Sequence, residues 1–432
     1  MNGTITTSNP QRVKSVSTWL EKIEKNTKIF LDYVSSKDLP EPSFESGDGL
    51  DITKPLPEEI AAAREAAVEA TGELHLLLMG PLGLLLETAG DQFLLLGLQY
   101  ILRHGIQYQV PLEGETTFAE IASACNLSEK DVTRILRLSM ARHVLKEPQK
   151  GFVIHTAASR MLLHNAQLEA WIMNVAEEFW PSLPRLVDAT IKWPESEEPN
   201  ESGYSISHYT NENPFDVIKK DPKKQQQFID AMSFSHLHPS FRIEHLLDNY
   251  DFGSIGKGTI VDVGGSHGRV SIEIAKKFPD VNCIVQDLPE AISGLDEHIP
   301  SDLKGRILGM EHDFLTPQPI RYGDIYLLRW ILHDWSDKYC IKILQNLIPG
   351  LRKGSKIVIN DICIPEPGQL GPRAERGLRI MDICMKSFNN ARERDAETWE
   401  WLFSMADPRY QFKGITIPPE ARMAIVEAEW SG

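Results

Sequence analysis

Apolar residues recur at helical spacing through the first half of the chain. A first predicted helix, over about residues 13–34, carries Val16, Trp19, Leu20 and Ile23 on one side. The stretch from Pro40 to Pro57 is rich in Pro, Gly and Asp and predicts a linker. The stretch from Leu74 to Ile106 has leucines on all sides. This pattern predicts a helix that is buried against other parts of the protein, and a second copy of the chain is one such partner.

Residues 117–143 have the pattern of two helices joined by a turn at Asn126. Two short apolar runs, 144–147 and 151–154, follow as a predicted two-stranded wing, so the pattern is that of a winged helix. Binding of DNA would require a basic second helix, but this one begins with Glu129, Lys130 and Asp131. We therefore expect a packing or dimerisation module.

The pattern changes after Ile255 to short β-branched runs that alternate with helical segments. The predicted strands are 259–263, 282–286, 306–310, 324–328 and 356–360. Alternation of this kind predicts a parallel, doubly wound α/β sheet of the Rossmann-like type.

These patterns divide the chain into four parts. We predict a helical extension with its linker, a winged-helix dimerisation domain, a further helical segment, and a Rossmann-like domain. Their predicted bounds are 1–70, 71–165, 166–250 and 251–432.

Composition narrows the possible partners. The net charge of -16 argues against binding to nucleic acid or to an anionic membrane, because both are negatively charged. No apolar run is long enough to cross a bilayer, and the start lacks the pattern of a secretory signal. The five cysteines are scattered without metal-ligand spacing, so we expect reduced thiols, no metal and a cytoplasmic protein.

Candidate ligand-binding residues follow three successive predicted strands. Gly264, Gly265 and Gly268 lie in the turn between the first strand and its helix, where a ligand can approach the backbone. Asp287 follows the second strand at a spacing suited to ribose hydroxyls, and Asp313 with Phe314 follows the third, suited to an adenine amine and ring. The spacing is not that of a dinucleotide fingerprint, because His267 occupies the place that such a site leaves open.

Five stretches together resemble the S-adenosylmethionine-dependent O-methyltransferases of the plant caffeate and isoflavone type, and their fungal secondary-metabolite relatives: V-D-V-G-G-S-H-G, Q-D-L-P, H-D-F, L-L-R-W-I-L-H-D-W-S-D and I-N-D-I-C-I-P-E. The resemblance extends over the chain beyond residue 70. It implies a class I methyltransferase fold and a homodimer with S-adenosylmethionine as cofactor. It also implies that residues 251–432 form the catalytic domain and that residues 166–250 cover the substrate. The residues that it implies as cofactor contacts are Gly264, Asp287, Asp313, Phe314 and Arg329.

The same resemblance implies that His333 is the general base, with Asp361 and Glu393 as the acidic residues beside it. A phenol has a pKa near ~10 and free imidazole near ~6.5, so complete proton transfer before methylation would cost roughly 5 kcal/mol. A carboxylate on the other ring nitrogen would stabilise the imidazolium.

The acceptor is expected to be a small phenolic or enolic secondary metabolite. Apolar residues of the helical segment are candidates for its pocket, and each could equally belong to the core: Phe215, Phe228, Met232, Phe234, His236 and His238. As substrate contacts we predict Met232, Trp330, Met385 and Lys338.

Two other functions fit parts of the pattern. A pericyclase on the same fold would bind the cofactor without transferring its methyl group, and Lys338 could then polarise a carbonyl. The retained residues His333, Asp361 and Glu393 favour methyl transfer. A metabolite-sensing winged-helix regulator is disfavoured by the acidic charge.

Overall fold

The computed structural model describes residues 15–45, 56–235 and 239–432. His236 and His238 therefore lie outside the described residues. The chain divides into two compact units. The first unit ends at Glu169 and also includes the short segment Gly371–Arg373, and the second unit contains the other residues from Ala170 onward. This division lies close to the predicted boundary at 165. The predicted boundary after residue 70 falls inside the helix Glu58–Gly90, and the predicted boundary after residue 250 falls inside the second unit.

The first unit is mainly helical. Its elements are α1 (Val16–Ser36), α2 (Glu58–Gly90), α3 (Gln92–Arg103), β1 (Thr116–Thr117), α4 (Phe118–Cys125), α5 (Glu129–Met140), β2 (Leu145–Lys146), β3 (Phe152–His155) and α6 (Ala157–His164). Helix α2 is interrupted at Gly80, which precedes Pro81 and has a left-handed φ of 68°. Proline cannot donate the helical hydrogen bond, so the apolar stretch continues in a new direction.

Helices α4 and α5 and strands β2 and β3 occur where the sequence predicts them. Thr117 caps α4 in a reciprocal arrangement with Glu120, and Asn126 ends the helix in the left-handed conformation. The three short strands form a sheet in the order β1-β3-β2. A role of this module in dimerisation stays a prediction.

Short helices open the second unit. They are α7 (Ala166–Asn174), which crosses the division between the units, α8 (Trp180–Ser182), α9 (Leu186–Lys192), α10 (Gly203–Ser207), α11 (Pro214–Ile218), α12 (Pro222–Ser235) and α13 (Glu244–Asn249).

A seven-stranded sheet follows, with helices between its strands. The elements are β4 (Thr259–Val263), α14 (Arg269–Lys277), β5 (Asn282–Asp287), α15 (Pro289–Ile292), α16 (Leu295–His298), β6 (Ile307–Glu311), β7 (Ile325–Arg329), α17 (Asp337–Leu347), β8 (Lys356–Ile362), α18 (Pro372–Asn389), α19 (Ala396–Ala406), β9 (Tyr410–Thr416) and β10 (Met423–Trp430). The strand order is β6-β5-β4-β7-β8-β10-β9.

The first five strands of this sheet are parallel, and β10 is antiparallel to both of its neighbours. All five predicted strands are present, with ends shifted by at most two residues. The parallel, doubly wound core is confirmed. Strands β9 and β10 are additions that the sequence interpretation missed.

Both faces of the central strands β4, β7 and β8 are buried. Val261 and Leu328 pack with side chains of α17 and α19 on one face, and Ile260 and Leu327 pack with side chains of α14 on the other. Strands that are covered on both faces read as continuous apolar runs, which is why the sequence revealed them. Parallel strands bring their carboxyl ends to one edge, so the turns after β4, β5, β6 and β7 lie together there.

No helix among the described residues is long and apolar enough to cross a membrane.

Candidate active site

The glycine turn after β4 is packed too closely for side chains. Gly264 has a φ of 75°, and a Cβ atom there would lie 2.3 Å from Cδ1 of Ile331. A Cβ atom on Gly265 would lie 2.7 Å from the Asp262 carboxyl carbon. The Gly264 N–H donates to the Gln286 carbonyl at 2.7 Å, which fixes the turn to β5. The turn thus exposes backbone at the edge where the strands end.

Asp287 lies at the end of β5 and holds the glycine turn. Its carboxylate accepts the N–H groups of Ser266 and Leu288, each at 2.8 Å. Burial raises the pKa of Asp287, and these two hydrogen bonds act against that effect. The carboxylate is thereby fixed, and it retains lone pairs that can accept hydroxyl donors.

Asp313 and Phe314 occupy the turn after β6. The exposed Asp313 accepts the Leu315 N–H at 2.9 Å. The half-buried Phe314 ring lies edge-on to Trp335 at 5.9 Å between centroids and close to Gly264. The structure thus brings three of the sequence-predicted cofactor elements to one edge.

Arg329, a further predicted cofactor contact, is buried among protein groups. It donates to the Phe241 carbonyl at 2.7 Å and bonds the Asn360 side chain. Burial lowers the pKa of Arg329 to about 10. These contacts tie the ends of β7 and β8 to residue 241, so its contact with a cofactor stays a prediction.

His333 lies in a short turn, Leu332–Asp334, just after β7. Its Nδ1 is 3.0 Å from Oε1 of Glu393, and its Nε2 is 3.4 Å from Oδ1 of Asp334. Burial alone would lower the pKa of His333, but the carboxylates of Asp334 and Glu393 raise it to about 10. The imidazole is therefore held between two carboxylates that stabilise its protonated form.

Asp361 supports the backbone of this turn rather than the ring. Its Oδ2 accepts the N–H groups of Leu332 at 3.1 Å and His333 at 3.3 Å. Burial raises the pKa of Asp361 to about 7. Of the two predicted acidic neighbours, Glu393 is thus the one that contacts the imidazole.

Arg394 and Asn389 are two residues of this site that the sequence interpretation missed. Arg394 is fully buried and donates to the carbonyls of Leu332 at 2.8 Å and Trp335 at 2.7 Å. Asn389 donates to the Asp334 carbonyl at 2.6 Å. Both lock the histidine turn to the segment that carries Glu393. A single sequence contains no signal for contacts between such distant segments.

Of the predicted substrate contacts, Trp330 is the one that lies directly against His333. Its ring is 4.7 Å from the His333 ring between centroids, and its φ of 55° is left-handed. Its buried indole N–H has no hydrogen-bond partner within the described residues. A strained backbone and an unpaired donor beside a candidate base are typical of a binding site.

The other predicted substrate contacts differ in their surroundings. Met385 is buried in an aromatic cluster with Phe179, Tyr204 and Phe388. Met232 is half-buried on α12. The side chain of Lys338 is 55% exposed and paired with Glu198, so this geometry does not favour contact with a substrate.

Comparison with known protein families identifies the type of chemistry. The family described as "O-methyltransferase domain" matches residues 192–407. The chain is also 36% identical to the "Grayanic acid biosynthesis cluster O-methyltransferase" of Cladonia grayi, over 94% of this chain and 85% of that protein. The chain belongs to the O-methyltransferase family.

A second relative of this O-methyltransferase is the "Chlorophenol O-methyltransferase" of Trichoderma longibrachiatum, at 36% identity over 95% of this chain and 89% of the relative. Two solved structures share the fold over 95% or more of both chains. OxaC in complex with SAH and oxaline has a TM-score of 0.75 at 21% identity. A structure titled "A Pericyclic Reaction enzyme" has a TM-score of 0.72 at 22% identity.

The environment of His333 predicts how activity of this O-methyltransferase depends on pH. The imidazole must be neutral to accept a proton, so kcat should rise with pH as His333 deprotonates. Glu393→Gln removes one of the carboxylates that raise the pKa of His333, so the rising limb of kcat should move to lower pH. The plateau should fall about tenfold, because the imidazolium is less stabilised.

The measurement is kcat between pH 6 and pH 10. Glu397→Gln, an exposed glutamate at the start of α19, is the control and should leave the profile unchanged. An identical rising limb in the wild type and in Glu393→Gln would contradict the assigned contact.

Proposed function

We propose that this O-methyltransferase transfers a methyl group from S-adenosylmethionine to the phenolic or enolic oxygen of a small secondary metabolite, with His333 as general base. The observation that carries the proposal is the position of His333. It lies after β7, at the strand edge that also bears the glycine turn, with its Nδ1 on the buried carboxylate of Glu393.

The residues at the strand edge fit this cofactor. Gly264 leaves backbone accessible, Asp287 presents a fixed carboxylate to hydroxyl donors, and Phe314 presents a ring beside Asp313. When bound, the cofactor supplies an electrophilic methyl group on a positively charged sulfonium. The protein residues orient it, exclude water and accept the proton of the acceptor.

The raised pKa of His333 suits a phenolic acceptor. The carboxylates beside His333 raise its pKa towards that of a phenol near ~10, so proton transfer from a phenol costs less than it would to free imidazole. Free imidazole would be a much weaker base for the same acceptor. The name of the chlorophenol methyltransferase relative supports the same acceptor class.

The Trp330 ring supports a flat, apolar acceptor. It lies against His333, and an indole ring binds other ring systems by offset and edge contacts.

The experiment is incubation with isotopically labelled S-adenosylmethionine and candidate polyketide, alkaloid or pyridone phenols, followed by mass spectrometry. A labelled methyl gain is expected on one of them. An isomerised or cyclised product of unchanged mass would instead indicate the pericyclase alternative.

We also propose that the protein is a cytoplasmic homodimer that associates through its first unit. Four leucines in the second half of α2, around the break at Gly80, are largely exposed: Leu78, Leu82, Leu85 and Leu86. A monomer rarely leaves such a patch in water. All five cysteines are unpaired thiols, which supports a reducing compartment.

The double variant Leu82→Glu/Leu86→Glu should be monomeric, because it places two charges in the proposed interface. Size-exclusion chromatography with light scattering measures the mass. The control is Val187→Glu/Ile191→Glu on α9, which changes two exposed apolar residues at the same spacing and should remain dimeric. A monomeric wild type, or a dimeric Leu82→Glu/Leu86→Glu variant, would disprove the interface.

A further inference from the structure

An acidic loop packs against both segments that carry the proposed catalytic pair. We define the acidic loop as residues Trp193–Ser202, between α9 and α10. It contains four glutamates, and its own fold is fixed by internal hydrogen bonds such as Glu198 N–H to Ser196 Oγ at 3.1 Å. It is therefore an ordered element rather than a simple connection.

The first contact of the acidic loop is with the start of α17. Ser336 donates to the Glu197 carbonyl at 2.8 Å, and the Lys338 N–H donates to the Glu197 carboxylate at 3.0 Å. The Glu198 carboxylate accepts the Tyr339 hydroxyl at 2.9 Å and pairs with the Lys338 ammonium. A carboxylate at a helix start also complements the helix dipole. The anchored residues begin two positions after Asp334, at the end of the His333 turn.

The second contact is with the turn between α18 and α19. The Asn390 side-chain N–H group donates to the carbonyls of Ser196 at 2.7 Å and Glu198 at 3.1 Å. Asn390 is buried, and its φ of 55° is left-handed. Glu393 follows three residues later, so the same loop also anchors the second member of the pair.

We propose that the acidic loop is a clamp that holds Glu393 against His333, with Asn390 and Glu198 as positioning residues. The inference rests on the proposed role of His333 as general base. Neither Asn390 nor Glu198 contacts His333, so both act through the segments that they anchor. The clamp also gives a role to Lys338, as the partner of Glu198.

Ordinary surface packing would produce stability without an effect on the base. The clamp differs because loosening it changes the distance from Glu393 to the imidazole. The charged groups that face His333 are Asp334 from its own turn, Asp361 from β8 and Glu393. Of these, Glu393 is the one whose segment Asn390 anchors. A loosened clamp should therefore shift the pH profile, which packing alone would not do.

The test uses Asn390→Gly in the full chain, since glycine keeps the left-handed backbone and removes both hydrogen bonds to the acidic loop. It also removes the hydrogen bond that the Asn390 side-chain oxygen accepts from Lys386, a residue outside the loop. Tyr339→Phe is a second, milder variant that removes one hydrogen bond to Glu198. Loss of two hydrogen bonds should lower kcat about tenfold for Asn390→Gly, and loss of one about threefold for Tyr339→Phe. The KM for S-adenosylmethionine should stay within about twofold, since the glycine turn is untouched.

Two readouts separate this inference from the proposed function. The first is hydrogen–deuterium exchange of peptides covering 330–336 and 389–394, which should become faster in both variants without any substrate. The second is the rising limb of kcat, which should move to lower pH. Asp188→Asn, which breaks an exposed ion pair with Arg185 on α9, is the control and should change neither.

Unchanged exchange and an unchanged pH profile in both variants would overturn the clamp, even if His333 proves to be the base. Full methyl transfer by a His333→Ala variant would instead overturn the proposed role of His333 as general base, whatever the exchange shows.

Discussion

His333→Ala is expected to lower kcat for methyl transfer by roughly 10²–10⁴-fold, the usual contribution of a general base. Affinity for S-adenosylmethionine should change by less than about threefold, because Gly264, Asp287 and Phe314 are not altered. Single-turnover kinetics with a confirmed acceptor measures the first quantity, and isothermal titration calorimetry measures the second.

The control for this prediction is His164→Ala at the exposed end of α6, which should match the wild type in both measurements. Full methyl transfer by His333→Ala would show that the acceptor loses its proton without this imidazole. A joint loss of activity and cofactor affinity would show that the turn after β7 had collapsed, and His333→Gln would then be tested, since it keeps a polar side chain of similar volume.

Arg394→Met is expected to destabilise the protein by about 3–5 kcal/mol, because it removes one partner of a buried ion pair. Arg394 Nε lies 2.8 Å from Asp337, and the other nitrogens satisfy the carbonyls of Leu332 and Trp335. All three acceptors would lose a buried charged donor, and Asp337 would keep only its exposed partner Arg392. Urea unfolding followed by circular dichroism measures the change in the free energy of unfolding.

Arg392→Met is the matched control, because Arg392 pairs with the same Asp337 at 3.1 Å but is 46% exposed. An exposed pair contributes about 0–1 kcal/mol, so this variant should unfold nearly as the wild type does. Equal destabilisation by the two variants would contradict the structural role assigned to Arg394.

Local patterns were sufficient for much of the fold. The apolar runs after residue 255 predicted five strands, since a parallel strand covered on both faces needs apolar residues throughout. Strand β9 was missed because one of its faces is exposed, as at Gln411 and Lys413. Strand β10 is largely buried, but Glu427 and Glu429 break its apolar run. Their polar positions interrupt the run that marked the others.

The sequence predicted those parts of the site that lie within the recognisable motifs. The glycine turn, Asp287, Phe314 and His333 lie at one edge because the topology of a parallel sheet brings successive turns together. The specific partners were not predictable. Lys338 pairs with Glu198 rather than facing the histidine, and this contact spans 140 residues of sequence. Such pairings depend on how loops fold back, which no local pattern encodes.

The most direct test of the account is a crystal structure of the protein with S-adenosylhomocysteine. We expect the ribose on Asp287, the adenine beside Asp313 and Phe314, and the sulfur facing Nε2 of His333. An adenosyl group bound elsewhere, or a sulfur directed away from His333, would contradict the assignment of this histidine as the base for methyl transfer.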